Sequence, residues 1–260
     1  MRLGQIRLDG VAVAAVFEGG MARPIPNYTV IELIQRSEAE HIPLAEMAAR
    51  LASRHPEEYA PVLPLSPPEV WGCGFADDRE ARPAIFFKGT ARVCVGPGQA
   101  IGIRADSRFT APGPALAVVL GSRGHILGYL PGNDVSAWDI ERENALYLPQ
   151  SKIYNGSCAL GPVILTADEP IDPYQLEMSC TIMRDDAELF SGAASTAPLI
   201  RRIETLVEFL MRSNNVPAGS VLLAGTGIAA PREAALAPGD VVAIRVAGFG
   251  ELANRAALVE

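Results

Sequence analysis

Histidine and cysteine are scarce in this chain of 260 residues, which has three of the first and four of the second. Cys73, Cys94, Cys158 and Cys180 are widely scattered, with no CxxC pair and no His at ligand spacing. A zinc site is therefore without support, and a disulfide framework is unnecessary at this length; the thiols read as reduced and mostly buried. His41 and His55 lie early in the chain, and His125 follows the turn-like Ser122-Arg123-Gly124, where a solvated imidazole is expected. None is assigned a catalytic role. Runs of basic residues are absent too. With a formal net charge of -8 and a pI near 5.0, the chain lacks the cationic surface that phosphates need, which argues against a general nucleic-acid partner and leaves a small molecule or a protein. No apolar stretch is long enough to span a bilayer, and the start of the chain has neither the apolar core nor the cleavage signal of a leader. The expectation is a cytoplasmic protein with no membrane partner. Internal repeats and low-complexity segments are missing as well.

What is present is a hydrophobic content of 49%, enough to bury a full core as one large domain, alone or with a small appendage. Short apolar runs around Gly10, followed by Glu18-Gly19-Gly20, predict a hairpin. Thr29 to Arg36 and Pro43 to Arg54 predict helices; in the second, Leu44, Met47, Ala48 and Leu51 share one face. Pro61, Pro64, Pro67 and Pro68 then break any regular element, and this run is read as the boundary between a small N-terminal lobe, residues 1–66, and a main domain, residues 67–260. Beyond it, apolar runs such as Leu116 to Leu120 and Met178 to Met183 alternate with Gly/Pro turns, so most of the main domain reads as strand. One helix is expected from about Pro198 to Arg212, with Ile200, Ile203, Leu206, Val207 and Leu210 on its buried face. Strands return at Val221 and at Val241 to Val246, the latter after a Pro238-Gly239-Asp240 turn.

Seven segments from Trp71 onward fall in an order that resembles the fumarylacetoacetate hydrolase superfamily. They are Trp71-Gly72-Cys73-Gly74, Phe86-Phe87-Lys88, Pro112-Gly113-Pro114-Ala115-Leu116-Ala117, Gly132-Asn133-Asp134-Val135-Ser136, Leu223-Ala224-Gly225-Thr226-Gly227, Leu236 to Val242, and Gly248 to Asn254. Within it, Glu143-Asn144-Ala145-Leu146-Tyr147-Leu148-Pro149-Gln150-Ser151-Lys152-Ile153-Tyr154 is most similar to the branch containing 2-keto-3-deoxy-D-arabinonate dehydratase. The resemblance implies an α+β, mostly β fold with a rolled mixed β-sheet core and a small N-terminal lobe, homodimer assembly, and Mg²⁺ at the pocket. In such enzymes the cation chelates the 2-oxo and carboxylate oxygens of the substrate and stabilises the enolate formed when a proton leaves C3.

The departures from the family pattern bear on that cation. The family's segment reads Pro-Glu-x-Glu-Leu-Ala, and its two Glu join one Asp as metal ligands; here Gly113 and Ala115 stand at the Glu positions and only Asp134 is retained. Two charges and two direct ligands are gone, so no metal cofactor is expected, with Mg²⁺ or Mn²⁺ bound only if the site is compensated. Asp106, Asp139, Glu141 and Glu143 are near in sequence but at no position the family uses, and Asp139 is expected to face away from Asp134 on one strand. Trp138, where the family commonly carries Arg, is read as packing.

Lys152 is the strongest remaining candidate, since the matching Lys sits in the family's pocket, where its ammonium pairs with an oxyanion or acts as a base; on composition alone it is a solvated loop lysine. Asp134 is read as a carboxylate base or as a structural residue of its turn. Lys88 resembles the family's strand-end Lys and reads equally as a snorkelling charge. Gly225 and Thr226 resemble the turn that binds the substrate carboxylate, and Gln150 and Tyr154 are candidates for orienting a polar ligand. No His near Phe75 to Arg79 matches the His-bearing dyad of the superfamily's hydrolases, which counts against C–C bond hydrolysis.

Three functions follow. The first is a divergent enzyme of a small 2-oxo acid or enolisable compound, a lyase or dehydratase, or one repurposed as a cyclase or isomerase, working through Lys152 and Asp134 without a divalent metal. The second is a non-catalytic ligand-binding descendant. The third is a Mg²⁺-dependent 2-keto-3-deoxy sugar acid dehydratase whose two Glu were replaced deliberately.

Overall fold

The computed structural model describes residues 1–74, 82–197, 201–225 and 227–260. The chain opens with a three-stranded meander, β1 (Arg2–Leu8), β2 (Val11–Glu18) and β3 (Met21–Ile25), whose two turns fall on the glycines seen in the sequence. Helices α1 (Val30–Glu40) and α2 (Leu44–Leu51) follow. Thr29 starts α1 through a reciprocal capping box with Glu32, which satisfies backbone donors that have no partner within the helix. The first helix runs four residues past Arg36 and the second ends three short of Arg54, where Ala52 turns extended.

The main body comprises β4 (Val70–Cys73), β5 (Ile85–Gly89), β6 (Cys94–Val95), β7 (Ile101–Arg104), β8 (Thr110–Ala111), β9 (Pro114–Leu120), β10 (Ile126–Asp134) and β11 (Ser136–Ala137). Two short helices, α3 (Trp138–Glu143) and α4 (Leu148–Lys152), interrupt the strands. After them come β12 (Cys158–Leu160), β13 (Ile164–Thr166), β14 (Glu177–Arg184), β15 (Ala187–Ser195), α5 (Ile203–Met211), β16 (Val221–Leu223), β17 (Val241–Val246) and β18 (Gly250–Val259). Residues 198–200 lie outside the described residues; α5 begins after Arg202, whose backbone is extended, and its buried face carries Ile203, Leu206, Val207 and Leu210 as expected.

Among the described residues the large mixed sheet has the strand order β3-β2-β1-β13-β10-β9-β16-β4-β5, with β12 and β6 branching from β10. A second sheet runs β15-β14-β17-β18-β7. Strand β9 is the hinge of the packing. All seven of its residues are buried, as an apolar run covered on both faces should be. By the two-residue period of a strand, Leu116, Val118 and Leu120 enter a core shared with α5 and the second sheet, while Ala115, Ala117 and Val119 enter a core shared with α1 and α2. That second core includes Leu3, Leu33, Met47 and Val70, and β1 pairs with β13 at Arg2↔Leu165. Strands β1–β3 therefore extend the large sheet from the far side of the proline run at residues 61–68, and the second core has members on both sides of that run. Within residues 1–66, buried Gln5 ties β1 to its surroundings, donating to Leu63 O at 2.9 Å and accepting from Val30 N at 3.2 Å.

Topology brings several strand ends to one edge of the large sheet. Strands β10 and β9 are antiparallel, as are β9 and β16, while β16 and β4 run parallel and β4 and β5 antiparallel. The C-terminal ends of β10, β16 and β4 therefore meet the N-terminal ends of β9 and β5. Among the described residues no helix is long and apolar enough to cross a membrane.

Candidate active site

At that edge lies a cavity of about 370 Å³ into which Phe86, Asp134, Ser136, Trp138, Glu141 and Lys152 project, with the backbone of Gly113 and Gly225 also on its wall. Local geometry explains each placement. Phe86 and Lys88 are two apart on β5 and share its inward face, whereas Phe87 between them is 39% exposed and packs edge-on against Trp71 at 5.2 Å. Asp134 ends β10, and Ser136, two residues on, faces the same way. Trp138 and Glu141 are three apart on α3, and Leu148 and Lys152 four apart on α4, the spacings that put two side chains on one helical face.

The chemical centre is a carboxylate held between two ammonium groups. Lys88 Nζ lies 2.6 Å from Asp134 Oδ1 and donates to Val135 O at 2.8 Å; Lys152 Nζ lies 3.0 Å from Asp134 Oδ2 and donates to Ser136 Oγ at 2.7 Å. Lys88 is fully buried, 0% exposed, so its reading as a snorkelling charge is corrected: β5 turns it inward, where Asp134 and a carbonyl replace water. Lys152 is likewise no solvated loop lysine, since it ends α4 with its head enclosed. The Phe86 and Trp138 rings stand 4.9 and 5.6 Å from Nζ, within reach of a cation–π attraction.

These contacts set the protonation. Burial pushes Lys88 below the ordinary lysine value, against the pull of Asp134. Burial works against the charge on Lys152 as well, yet the Asp134 and Glu141 carboxylates outweigh it and hold this lysine above its ordinary value. Burial also opposes the charge on Asp134, and the two lysines override it, keeping the carboxyl below the aspartate range. Lys152 is thus the firmly charged member of the pair.

No family position points to Glu141 in the sequence. It approaches Lys152 Nζ with Oε2 at 3.4 Å, and that oxygen is buried without a hydrogen-bond partner in the described structure. Ser136 was a landmark without a role. The signal that could have found both was spacing: Ser136 two residues after Asp134, and Glu141 three after Trp138. Asp139 does not face away along a strand, because the chain has already turned into α3; its carboxylate accepts from Ser107 Oγ at 2.7 Å and Arg108 N at 2.6 Å. Trp138 packs beneath Arg142, 5.2 Å from its ring, while also walling the cavity.

Two further expectations are not met at the cavity. Gln150 is exposed, and its backbone carbonyl accepts from Arg104 at 2.8 Å. It lies two residues before Lys152 on α4, about 200° around the helix, and so faces away from it. Tyr154 is beyond the helix and buried at 7% exposure outside the cavity wall, its phenol pushed up by burial and by the negative charge of Asp134. Gly225 lines the cavity with φ +75°, a conformation that suits glycine; Thr226 lies outside the described residues.

Among the described residues the carboxylate set implied by the resemblance is not assembled. Asp134 already serves two ammonium groups, Gly113 and Ala115 offer no donor atom, and among the described residues no three His, Cys, Asp or Glu side chains converge on one point. The backbone has closed where a ligand side chain would start: a Cβ at Gly113 would lie 2.5 Å from Asp134 O, and Asp134 N donates to Gly113 O at 2.7 Å.

Residues 72–257 match the family model described as Fumarylacetoacetate (FAA) hydrolase C-terminal, and the chain belongs to that family. The particular relatives narrow the placement to a branch. The chain is 44% identical over 213 residues to 2-dehydro-3-deoxy-D-arabinonate dehydratase of Saccharolobus solfataricus, covering 73% of this chain and 72% of that protein. It superposes at a TM-score of 0.86, with 35% identity and full coverage of both chains, on a solved 2-keto-3-deoxy-D-arabinonate dehydratase complexed with magnesium and 2,5-dioxopentanoate. A more distant relative, the mitochondrial oxaloacetate tautomerase FAHD2B of Bos taurus, is 26% identical over 256 residues, 87% of this chain and 79% of that one. The mostly β fold with mixed sheets is the family's, and these relatives are enzymes.

Proposed function

We propose that this protein is an enzyme of small 2-oxo acids or related enolisable compounds, in which the ammonium of Lys152 takes the electrostatic part that a divalent cation has in the family. The observation that carries the reading is the placement of Lys88 and Lys152 on opposite oxygens of Asp134. Lys88 neutralises Asp134 from the buried side, which frees Lys152 to act on a ligand. An oxyanion entering the cavity displaces only the long contact to Glu141 and gains a charge-assisted hydrogen bond from Nζ.

In this reading the C3 proton passes to the Glu141 carboxylate as the oxo oxygen becomes an enolate oxygen beside Lys152. Where the next carbon bears a hydroxyl, its C–O bond breaks, the electrons of the enolate form the new C=C bond, and the oxygen leaves as water with the proton returned by Glu141. Where a C=C bond is instead conjugated with the enolate, return of that proton to the far carbon of the dienolate moves the double bond, which is isomerisation. Lyase and isomerase or cyclase outcomes share the first step. Homodimer assembly and a cytoplasmic location belong to the same reading.

A second reading, Mg²⁺-dependent dehydration, is favoured by the magnesium-bound relative and by Glu141, which could join Asp134 as a second carboxylate if the lysines gave way. Calorimetry with oxalate, an enolate mimic, separates the two. The proposal expects oxalate to bind without added metal and binding to be lost in Lys152→Met. Oxalate binding that requires Mn²⁺ or Mg²⁺ and survives Lys152→Met would establish the second reading instead.

A further inference from the structure

We infer that the compound handled at this cavity joins its 2-oxo acid head to an apolar body, aromatic or aliphatic, and not to a hydroxylated sugar chain. The inference rests on the function proposed above and names the substrate class of the same site.

The polar side chains of the described cavity wall stand together. Asp134, Ser136, Glu141 and Lys152 form one group around the Lys152 ammonium. Most of the other side chains of the described wall are hydrocarbon or ring, Phe86, Ala115, Trp138, Leu148, Leu223 and Ile228 among them, beside the Cys73 thiol. Such an arrangement holds a small charged head at one end and excludes water from whatever follows.

A sugar chain would need donors and acceptors along its length, and the side chains of the described wall have few to give. Apart from the indole N–H of Trp138, the neutral oxygen- or nitrogen-bearing side chain is that of Ser136. Its hydroxyl is already used in both directions, donating to Asp134 O at 2.9 Å and accepting from Lys152 at 2.7 Å. The backbone of Gly113 is occupied too, its N–H by Asn133 Oδ1 at 2.9 Å and its carbonyl by Asp134 N at 2.7 Å. Each hydroxyl enclosed without a partner weakens binding by about tenfold. An apolar body meets the opposite situation, gaining from every carbon it removes from water. The rings also stand next to the head: a carbonyl oxygen on Lys152 Nζ places the adjoining carbons beside Phe86 and Trp138, whose centroids are 4.9 and 5.6 Å from that nitrogen. The volume of about 370 Å³ accommodates a head with a body the size of one phenyl ring.

The test is calorimetric titration of the full chain with phenylpyruvate, 2-keto-3-deoxy-D-arabinonate and pyruvate, the last being the shared head, each repeated on Lys152→Met. Phenylpyruvate is expected to bind at least tenfold tighter than the sugar acid, and Lys152→Met to weaken all three. A smaller advantage for phenylpyruvate, or a preference for the sugar acid, with Lys152→Met still weakening all three, overturns the apolar-body inference and leaves the proposed function standing. No binding by any of the three, or indifference to Lys152→Met, removes the proposed function and the inference with it.

Discussion

Two carboxylates of this protein are held among basic partners, and they differ in what is left over once the partners are placed. Asp240, 2% exposed, meets one guanidinium: Arg184 Nε reaches Oδ1 and Nη2 reaches Oδ2, both at 2.8 Å, and Ala237 N donates to Oδ2 at 2.8 Å. Arg184 Nη2 also donates to Ala235 O, so the clasp fixes the turn before β17 with charges balanced and donors used. Asp134 instead receives two ammonium groups, with Glu141 drawn up at 3.4 Å as the compensating charge. A bidentate pair sealed into a turn is a structural device. An overcharged carboxylate beside a cavity, with its second counter-charge loosely held, leaves a cation able to change partners, and that is a property of a site.

The largest contrast is expected in catalysis. Lys152→Met should lower kcat on an accepted 2-oxo acid by at least about a hundredfold, the usual effect of removing a donor to a developing oxyanion, whereas Arg184→Met should leave kcat of the folded enzyme unchanged. Steady-state kinetics on both variants checks this, and equal losses would erase the distinction between site and clasp. Stability is where the clasp itself is expected to count. Arg184→Met leaves Asp240 buried without its counter-charge and should cost about 2–3 kcal/mol in urea unfolding, a figure kept below that of a fully enclosed pair because the Arg184 side chain is 36% exposed.

Acid should expose a feature common to both. Asp134 and Asp240 are each held below the ordinary aspartate value of 3.8; burial opposes the shift in both, and Lys88 with Lys152 in one, Arg184 in the other, override it. A carboxyl depressed by folding contributes stability that is present above its unfolded value and is lost as pH falls through the folded one. Stability from denaturant titrations should therefore hold down to about pH 4 and fall below it, less steeply in Arg184→Met. An unaltered acid limb in that variant would detach Asp240 from acid unfolding. The smallest effect is expected at Gly113, where even Ala brings a Cβ to 2.5 Å from Asp134 O; Gly113→Ala should destabilise the fold by about 1–2 kcal/mol, read as a lower urea midpoint, as the backbone shifts to make room.

Much of the scaffold was legible because its cause is local. The glycine turns of the meander, the one-sided α2 and the continuous apolar run of β9 each follow from spacing, as does the buried face of α5, which starts after the extended Arg202. That Asp134, Lys152 and Gly225 come to one candidate cavity was also legible. Its chemistry was not, since Lys88 and Asp134 are 46 residues apart and meet only after β5, β4, β16, β9 and β10 line up. No periodicity encodes that meeting. Gln150 misled for a simpler reason: polar residues next to a candidate lysine look like company, yet on a helix a neighbour two positions away belongs to the other side.

The close backbone at Gly113 also ties the shape of the cavity floor to its charge. A side chain at position 113 is admitted only if the Asp134 peptide moves, and that peptide carries the carboxylate on which both lysines converge. Bulk added on one strand is thus felt as electrostatics on its neighbour: whatever displaces Asp134 also redirects the two ammonium groups.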